Sequence, residues 1–243
     1  MERDVYRSMR ELQRNHWWFR GRRRFVSALV DSLGLPAGAR ILEAGAGSGG
    51  NLEMLRRHGS VSAFEMDAEA AAACAADHGI ACPLGTLPGA NPFEGRARFD
   101  LVVALDVLEH IDDDVASLRS LAACLAPGGR LLLTVPAYPW LYSGHDLIHH
   151  HRRRYTRRGL ERVVGAAGLR VHRAGYFNAL LLPAIVAVRL GARVLRREPA
   201  SDARMPGPRA NEWLARVFGA EAAVARRGGF PAGLSLFLVA GTA

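Results

Sequence analysis

Short apolar runs ending in small or acidic residues alternate along the chain with stretches of helical period, which predicts a parallel sheet with crossover helices. Six runs read as strands: "ARILEAG" (39–45), "VSAFEMD" (61–67), "FDLVVALDVLEHI" (99–111), "RLLLTVP" (130–136), "RVHRAGYFN" (170–178) and "GLSLFLVAG" (233–241). Helical segments follow as "SGGNLEMLRRHG", "AEAAAACAADHG", "DVASLRSLAACLAPGG" and "TRRGLERVVGAAGL". In the third, Val115, Leu118, Ala122 and Leu125 share a face, and Pro127, Gly128 and Gly129 stop the helix. The fourth opens at Thr156, a capping residue type, and aligns Leu160, Val163, Val164 and Ala167.

A hairpin between the last two strands needs only a handful of residues, yet about fifty stand there, so residues 179–229 predict a helical insertion. Its segment from Pro199 to Pro208 reads as a mobile loop between two amphipathic helices. The expected organisation is an amino-terminal helical lid at 1–34 and an α/β domain at 35–243. The aromatic "HWWF" within the first part suits either a lid over a ligand or an amphipathic helix packed on the sheet.

The first residues are charged and lack the apolar core of a secretion signal, and the greasy run 179–188 is half of the roughly 20 residues that cross a bilayer. A cytoplasmic protein is expected. Cys74, Cys82 and Cys124 have no metal-type spacing and read as buried hydrophobes. Net charge is +9, and all fixed side-chain cations are arginine, because the chain has no lysine. That excludes Schiff-base chemistry and a Walker-type phosphate lysine. The runs "RGRRR", "HRRRYTRR" and "RVLRR" could meet nucleic acid or an anionic membrane face, but the plainer reading is solvated faces.

Candidate chemistry gathers at the strand ends. Glycines at 45, 47 and 49 allow a tight turn and close approach of a ligand. The literal G-x-G-x-x-G of Gly45, Gly47 and Gly50 would suit a dinucleotide. Glu43, however, would oppose a diphosphate and favour a ligand with an ammonium, as in S-adenosylmethionine. Glu65, ending the second strand, suits a ribose.

"LEAGAGSGG", "FEMD", "LGTLPG", "FDLVVALDVLEHIDDD" and "LAPGGRLLLTVPAY" together resemble the class I S-adenosylmethionine-dependent methyltransferases. The resemblance implies a Rossmann-like seven-stranded sheet with the last strand antiparallel. It also implies a cofactor held by Glu43, Gly45, Ala46, Gly47, Gly49 and Asn51 at the methionine end and Glu65 at the ribose. Met66 would lie on the adenine face, Gly85 and Thr86 at its edge, with Leu105, Asp106 and His110 bordering the cofactor. Many relatives carry an aspartate at the adenine edge, where this chain must use backbone or Thr86.

"HWWFRGRR", "HDLIHHHRRRYTRRGL" and a late "E…PAGLSL" are similar to a bacterial small-molecule subgroup found in natural-product and cell-surface biosynthesis, with the pattern D-x-x-x-x-H-x-R-R-Y on Asp146, His151, Arg153, Arg154 and Tyr155. A general base suits a hydroxyl, phenol or ammonium acceptor. The candidates are His151, then His145 with Asp146 orienting it; strand-like alternation would aim His150 away from its neighbours. Alternatively, the rings cap the sheet edge while Arg153, Arg154 and Tyr155 anchor the loop. Asp106, Glu109 and His110 of "DVLEH" resemble a motif that can hold a divalent ion in ubiquinone-biosynthesis O-methyltransferases, but no metal is expected here. The expected partner is a small-molecule acceptor, with the insertion forming a greasy pocket, a dimer face for a homodimer, or a peripheral membrane contact. Two other functions compete: nucleic-acid methylation, opposed by the lack of an Asn/Asp-Pro-Pro-Tyr motif, and cofactor binding without transfer.

Overall fold

The computed structural model describes residues 12–194 and 205–242. Residues 1–11 of the expected lid and 195–204 of the insertion, including most of the loop placed at 199–208, lie outside them.

Helix α1 (Trp17–Asp31) precedes the sheet. Strand β1 (Arg40–Ala44) pairs in parallel with β2 (Ser60–Phe64) on one side and β3 (Phe99–Leu105) on the other. Strand β4 (Leu125–Pro136) runs parallel to β3. Strand β6 (Ser235–Thr242) lies antiparallel between β4 and β5 (Leu169–Phe177), giving the order β2-β1-β3-β4-β6-β5. All six apolar runs become strands, and among the described residues the sheet has six strands rather than the expected seven. Beyond β2 the pairing shrinks to one bridge, Glu65 with Leu84. Pro83 there has no N–H to extend a ladder, and Leu84 is exposed at the sheet edge.

Between β1 and β2, α2 (Leu52–Leu55) is a single turn, shorter than the helix expected over 48–59. The chain has to enter β2 at once: Ser60 N–H donates to Ala39 O at 2.8 Å, and a Cβ on Gly59 would lie 2.1 Å from that oxygen. Helix α3 (Ala68–His78) is capped by Asp67, whose carboxylate accepts from Glu69 and Ala70 N–H. Helix α4 (Asp114–Ala122) ends before Leu125, which opens β4 opposite Phe99 instead of continuing a helical face; a register shift follows. Helix α5 (Gly144–Ile148) precedes α6 (Arg157–Ala166), where Thr156 caps as expected by accepting from Gly159 N–H at 3.1 Å.

The insertion contributes α7 (Leu182–Val194), α8 (Pro208–Ala220) and α9 (Ala222–Ala225). Helices α1 and α8 cover one sheet face together. Phe25 stacks on Phe177 at 4.7 Å and tilts against Phe237 at 5.5 Å, while Phe218 also stacks on Phe177, at 6.1 Å. Each of these rings is fully buried, worth about 1.5–3 kcal/mol. The helices meet closely because Gly21 lacks a Cβ, which would fall 2.3 Å from the Phe218 ring. Helices α4 and α6 cover the opposite face through Leu118, Leu121, Leu160 and Val164. No helix among the described residues is long and apolar enough to cross a membrane.

Candidate active site

The carboxyl ends of β1, β2, β3 and β4 deliver the candidate residues to one edge of the sheet, as a parallel arrangement requires. After β1, Gly45 and Ala46 both donate N–H to Phe64 O, at 3.0 and 3.1 Å, which folds the loop across β2. Gly45, Gly47 and Gly49 have φ of 70°, 56° and 86°, a region costly for side-chain-bearing residues. The following turn carries Glu65, whose Oε2 accepts from Gly47 N–H at 2.8 Å and whose Oε1 accepts from Met66 and Asp67 N–H at 2.8 and 3.0 Å. Met66 is 71% exposed and Leu84 59%, so two large apolar side chains stand beside that carboxylate. Gly85 is buried on the same edge, its N–H donating to Glu65 O, while Thr86 is exposed and its backbone pairs with Ala90.

A polar chain crosses the floor of this edge. Asn51 donates from Nδ2 to Glu43 Oε1 at 2.7 Å, and its own Oδ1 accepts from Arg22 at 3.3 Å. Arg22 also forms an ion pair with Asp106 Oδ2, and Asp106 Oδ1 accepts from the Thr134 hydroxyl at 3.2 Å. Asp106 follows Leu105 with φ of 57°. Glu43 Oε2 is buried with no hydrogen-bond partner among the described residues. Burial raises the Glu43 carboxyl from 4.5 to about 7, against the Asn51 bond and the Arg22 charge. A buried carboxylate with one oxygen open suits a cation, and the N–H-rich glycine loop beside it suits a carboxylate, which matches the amino-acid tail of S-adenosylmethionine. Arg22 is the residue of this polar chain that charge counting misses: it lies on the buried stripe of α1 with Val26 and Leu29, and that placement is its sequence signal.

A second cluster faces this one from the loop after β4. The run "HHH" is not extended: α5 is followed by a turn with His150 at φ 57°, so strand alternation does not set these rings. Asp146 is fully buried and pairs with His151, Oδ1 to Nδ1 at 2.9 Å, rather than standing free to orient His145, which also lies in α5. Arg154 Nε donates to the same oxygen at 2.7 Å, and Ser143 N–H donates to Oδ2 at 2.8 Å. Burial would raise the Asp146 carboxyl, but the bonds from His151 and Arg154 hold it well below the usual carboxylate range. Tyr155 and Arg153 bind Asp114 Oδ2 at 3.0 and 3.3 Å, so the remaining residues of the subgroup pattern anchor the loop.

Arg152 N–H donates to Glu109 O at 2.7 Å and draws His151 onto the 3₁₀ turn Leu108–His110. The His110 and His151 rings meet edge to face at 4.8 Å. Burial, then the neighbouring His151, lowers His110 to about 4, so it is neutral at physiological pH. Glu109 is fully buried with neither carboxylate oxygen bonded among the described residues, and burial raises its carboxyl well above the usual range. Ligand atoms of Glu109, His110 and His151 lie within 4.8 Å of one another. Asp106, expected in that group, is turned instead to Arg22 and Thr134.

A family model described as a methyltransferase domain matches residues 18–174. Two curated relatives are ubiquinone biosynthesis O-methyltransferases. The one from Caulobacter sp. (strain K31) is 35% identical over 103 residues, 40% of this chain and 40% of that protein. The one from Aeromonas salmonicida (strain A449) is 27% identical over 161 residues, 59% of this chain and 68% of that protein. This chain therefore spans less than half the length of the first relative. Among solved structures, geranyl diphosphate C-methyltransferase from Streptomyces coelicolor A3(2), in complex with Mg2+, geranyl-S-thiolodiphosphate and S-adenosyl-L-homocysteine, aligns with a TM-score of 0.55 at 18% identity. The alignment covers 87% of this chain and 73% of that one, a likeness of fold.

Proposed function

The chain belongs to the methyltransferase-domain family, class I and S-adenosylmethionine-dependent, and on that premise we propose that it methylates a small-molecule acceptor on oxygen, nitrogen or carbon. The observation that carries this reading is the buried Asp146–His151 pair set against His110, at the sheet edge that also bears Glu43 and Glu65. Glu43, Asn51 and the loop from Gly45 to Gly49 would hold the amino-acid tail of S-adenosylmethionine, with Arg22 available to its carboxylate. Glu65 would hold the ribose, Met66 and Leu84 the faces of the base, and Gly85 and Thr86 its edge. Leu105, Asp106 and His110 would border the sulfonium. When bound, that cofactor supplies an already activated methyl group, so the chain mainly has to align the acceptor and exclude water.

In this reading the Asp146 carboxylate fixes His151 with its Nδ1 proton toward the carboxylate, leaving Nε2 to take a proton from the acceptor. Such a base contributes roughly 10²- to 10⁴-fold. Trp140, Leu147 and Ile148, all exposed within nine residues of chain around Asp146, support an acceptor with an apolar portion. The relatives named for ubiquinone biosynthesis support an oxygen acceptor, and the chain's excess of arginine supports nucleic acid only weakly.

One observation favours a second route to the same outcome. The unbonded, buried Glu109 carboxylate beside His110 and His151 fits a divalent ion, which would lower the pKa of a phenol acceptor without a protein base. Dialysis against a chelator separates the two: retained turnover supports the base, and loss restored by Mg2+ supports the ion. The acceptor class is tested by incubating the enzyme with methyl-labelled S-adenosylmethionine and cell extract. Label in a small organic molecule is expected; label confined to RNA or DNA overturns the proposal.

A further inference from the structure

Arginines far apart in the sequence converge on a groove behind the glycine loop. Arg14, Arg20, Arg23 and Arg24 come from the amino-terminal segment and α1, and Arg56 and Arg57 from the end of α2. The groove encloses about 740 Å³ and touches the outer side of the loop at Ser48 and Gly50. Six guanidinium groups line it, against the three carboxylates of Asp31, Glu53 and Asp77.

Those carboxylates are already engaged: Asp77 with Arg14 at 3.3 Å, Glu53 with Arg57 at 3.7 Å and Asp31 with His58 at 3.4 Å. Arg20 pairs with Glu212 at 2.8 Å. Arg23, Arg24 and Arg56 bond only to main-chain oxygens among the described residues: Arg23 to Gln13 O and Arg14 O, Arg24 to Ala215 O and Arg56 to His78 O. Among the described residues these three cations thus share a concave surface without a direct ion pair, and the Glu53 carboxylate in the same lining offsets only part of their charge. Burial first, and then the charges of Arg22 and Arg20, lowers the Arg23 guanidinium to about 10, against the pull of the Glu53 carboxylate. Planar, fork-shaped donors converging in this way match phosphate oxygens, which accept two N–H groups at once.

We infer that this groove binds a phosphate-bearing anion, either a free polyphosphate or the headgroup of an anionic lipid. The site is separate from the His151 cluster, so it does not depend on the acceptor proposed above. Its contact with Ser48, whose hydroxyl bonds Gln13 Oε1 at 2.8 Å, links an occupant to the loop that would hold the cofactor.

The test uses the full chain at low and at physiological salt, with inorganic pyrophosphate followed by calorimetry and phosphatidylglycerol or phosphatidylcholine vesicles followed by co-sedimentation. Saturable binding to pyrophosphate, or to phosphatidylglycerol but not phosphatidylcholine vesicles, is expected. Arg23→Gln with Arg56→Gln should weaken it at least tenfold, while Arg158→Gln with Arg162→Gln on the exposed side of α6 leaves it intact. Pyrophosphate binding alone identifies a free phosphate; vesicle binding alone identifies a headgroup. If the double variant loses its thermal transition, Arg24→Gln should weaken binding in its place. Absence of binding to both probes, or binding unchanged in the groove variants, overturns the inference.

Discussion

Asp146 and His151 share a 2.9 Å hydrogen bond, and Arg154 holds the same carboxylate oxygen at 2.7 Å, so the imidazole is fixed by a charge that is itself fixed. His151→Ala is expected to lower kcat by roughly 10²- to 10⁴-fold while leaving the affinity for S-adenosylhomocysteine unchanged. Asp146→Asn should also lower kcat and shift the pH dependence of turnover, because the histidine loses its anionic partner. Steady-state rates and calorimetry on the same preparations check both; full activity of His151→Ala removes it from the reaction.

Glu43 gives the fold a pH dependence of definite sign. Its folded value of about 7 lies above the unfolded 4.5, so its contribution to stability is fully present below about 4.5 and is lost as pH rises through 7. Glu43→Gln should remove that loss and stabilise the ligand-free protein at pH 8 by about 3 kcal/mol. The same variant should bind S-adenosylhomocysteine at least tenfold more weakly. Denaturant melts at pH 5 and pH 8 check the first expectation.

Arg22 is buried between Asp106 and Asn51, and its removal leaves Asp106 without its cation. Arg22→Gln is expected to cost about 3 kcal/mol of stability, the range for breaking a buried pair. It should also weaken cofactor binding more than Arg24→Gln does, since Arg24 is exposed and, among the described residues, bonded only to Ala215 O. Equal effects of the two variants would count against a site role for Arg22.

Phe25 lies beneath Arg22 on the same helix and stacks on Phe177. Phe25→Ala should cost about 3–5 kcal/mol and, by loosening α1, also raise the Kd for S-adenosylhomocysteine. Thermal melts with and without ligand measure both effects.

The strands are legible in the sequence because β1, β3 and β4 are buried on both faces over residues 41–44, 101–105 and 131–135 and read there as mostly apolar runs, and Thr156 is legible because its cap is local. The seventh strand, implied by family resemblance alone, is cut to a bridge at Leu84 by Pro83. At the site, Glu43, Glu65 and the glycines stand at strand ends and are readable from position. Arg22 is hidden in a run of arginines whose members differ only in helical phase. The pairing of Asp146 with His151 escapes pattern reading because it is made across a five-residue helix and a left-handed turn at His150, too short and irregular for any period. Glu109 is named in the sequence by the "DVLEH" motif, but its full burial is not legible there, because it comes from the 3₁₀ turn that folds the carboxylate inward.

Calorimetric titration with S-adenosylhomocysteine and, separately, NAD tests most directly whether the Glu43–Glu65 edge is built for a sulfonium nucleoside. The expected result is saturable one-to-one binding of S-adenosylhomocysteine, weakened tenfold or more by Glu65→Ala, and no heat with NAD. Binding of NAD without S-adenosylhomocysteine, or affinity indifferent to Glu65→Ala, would contradict it.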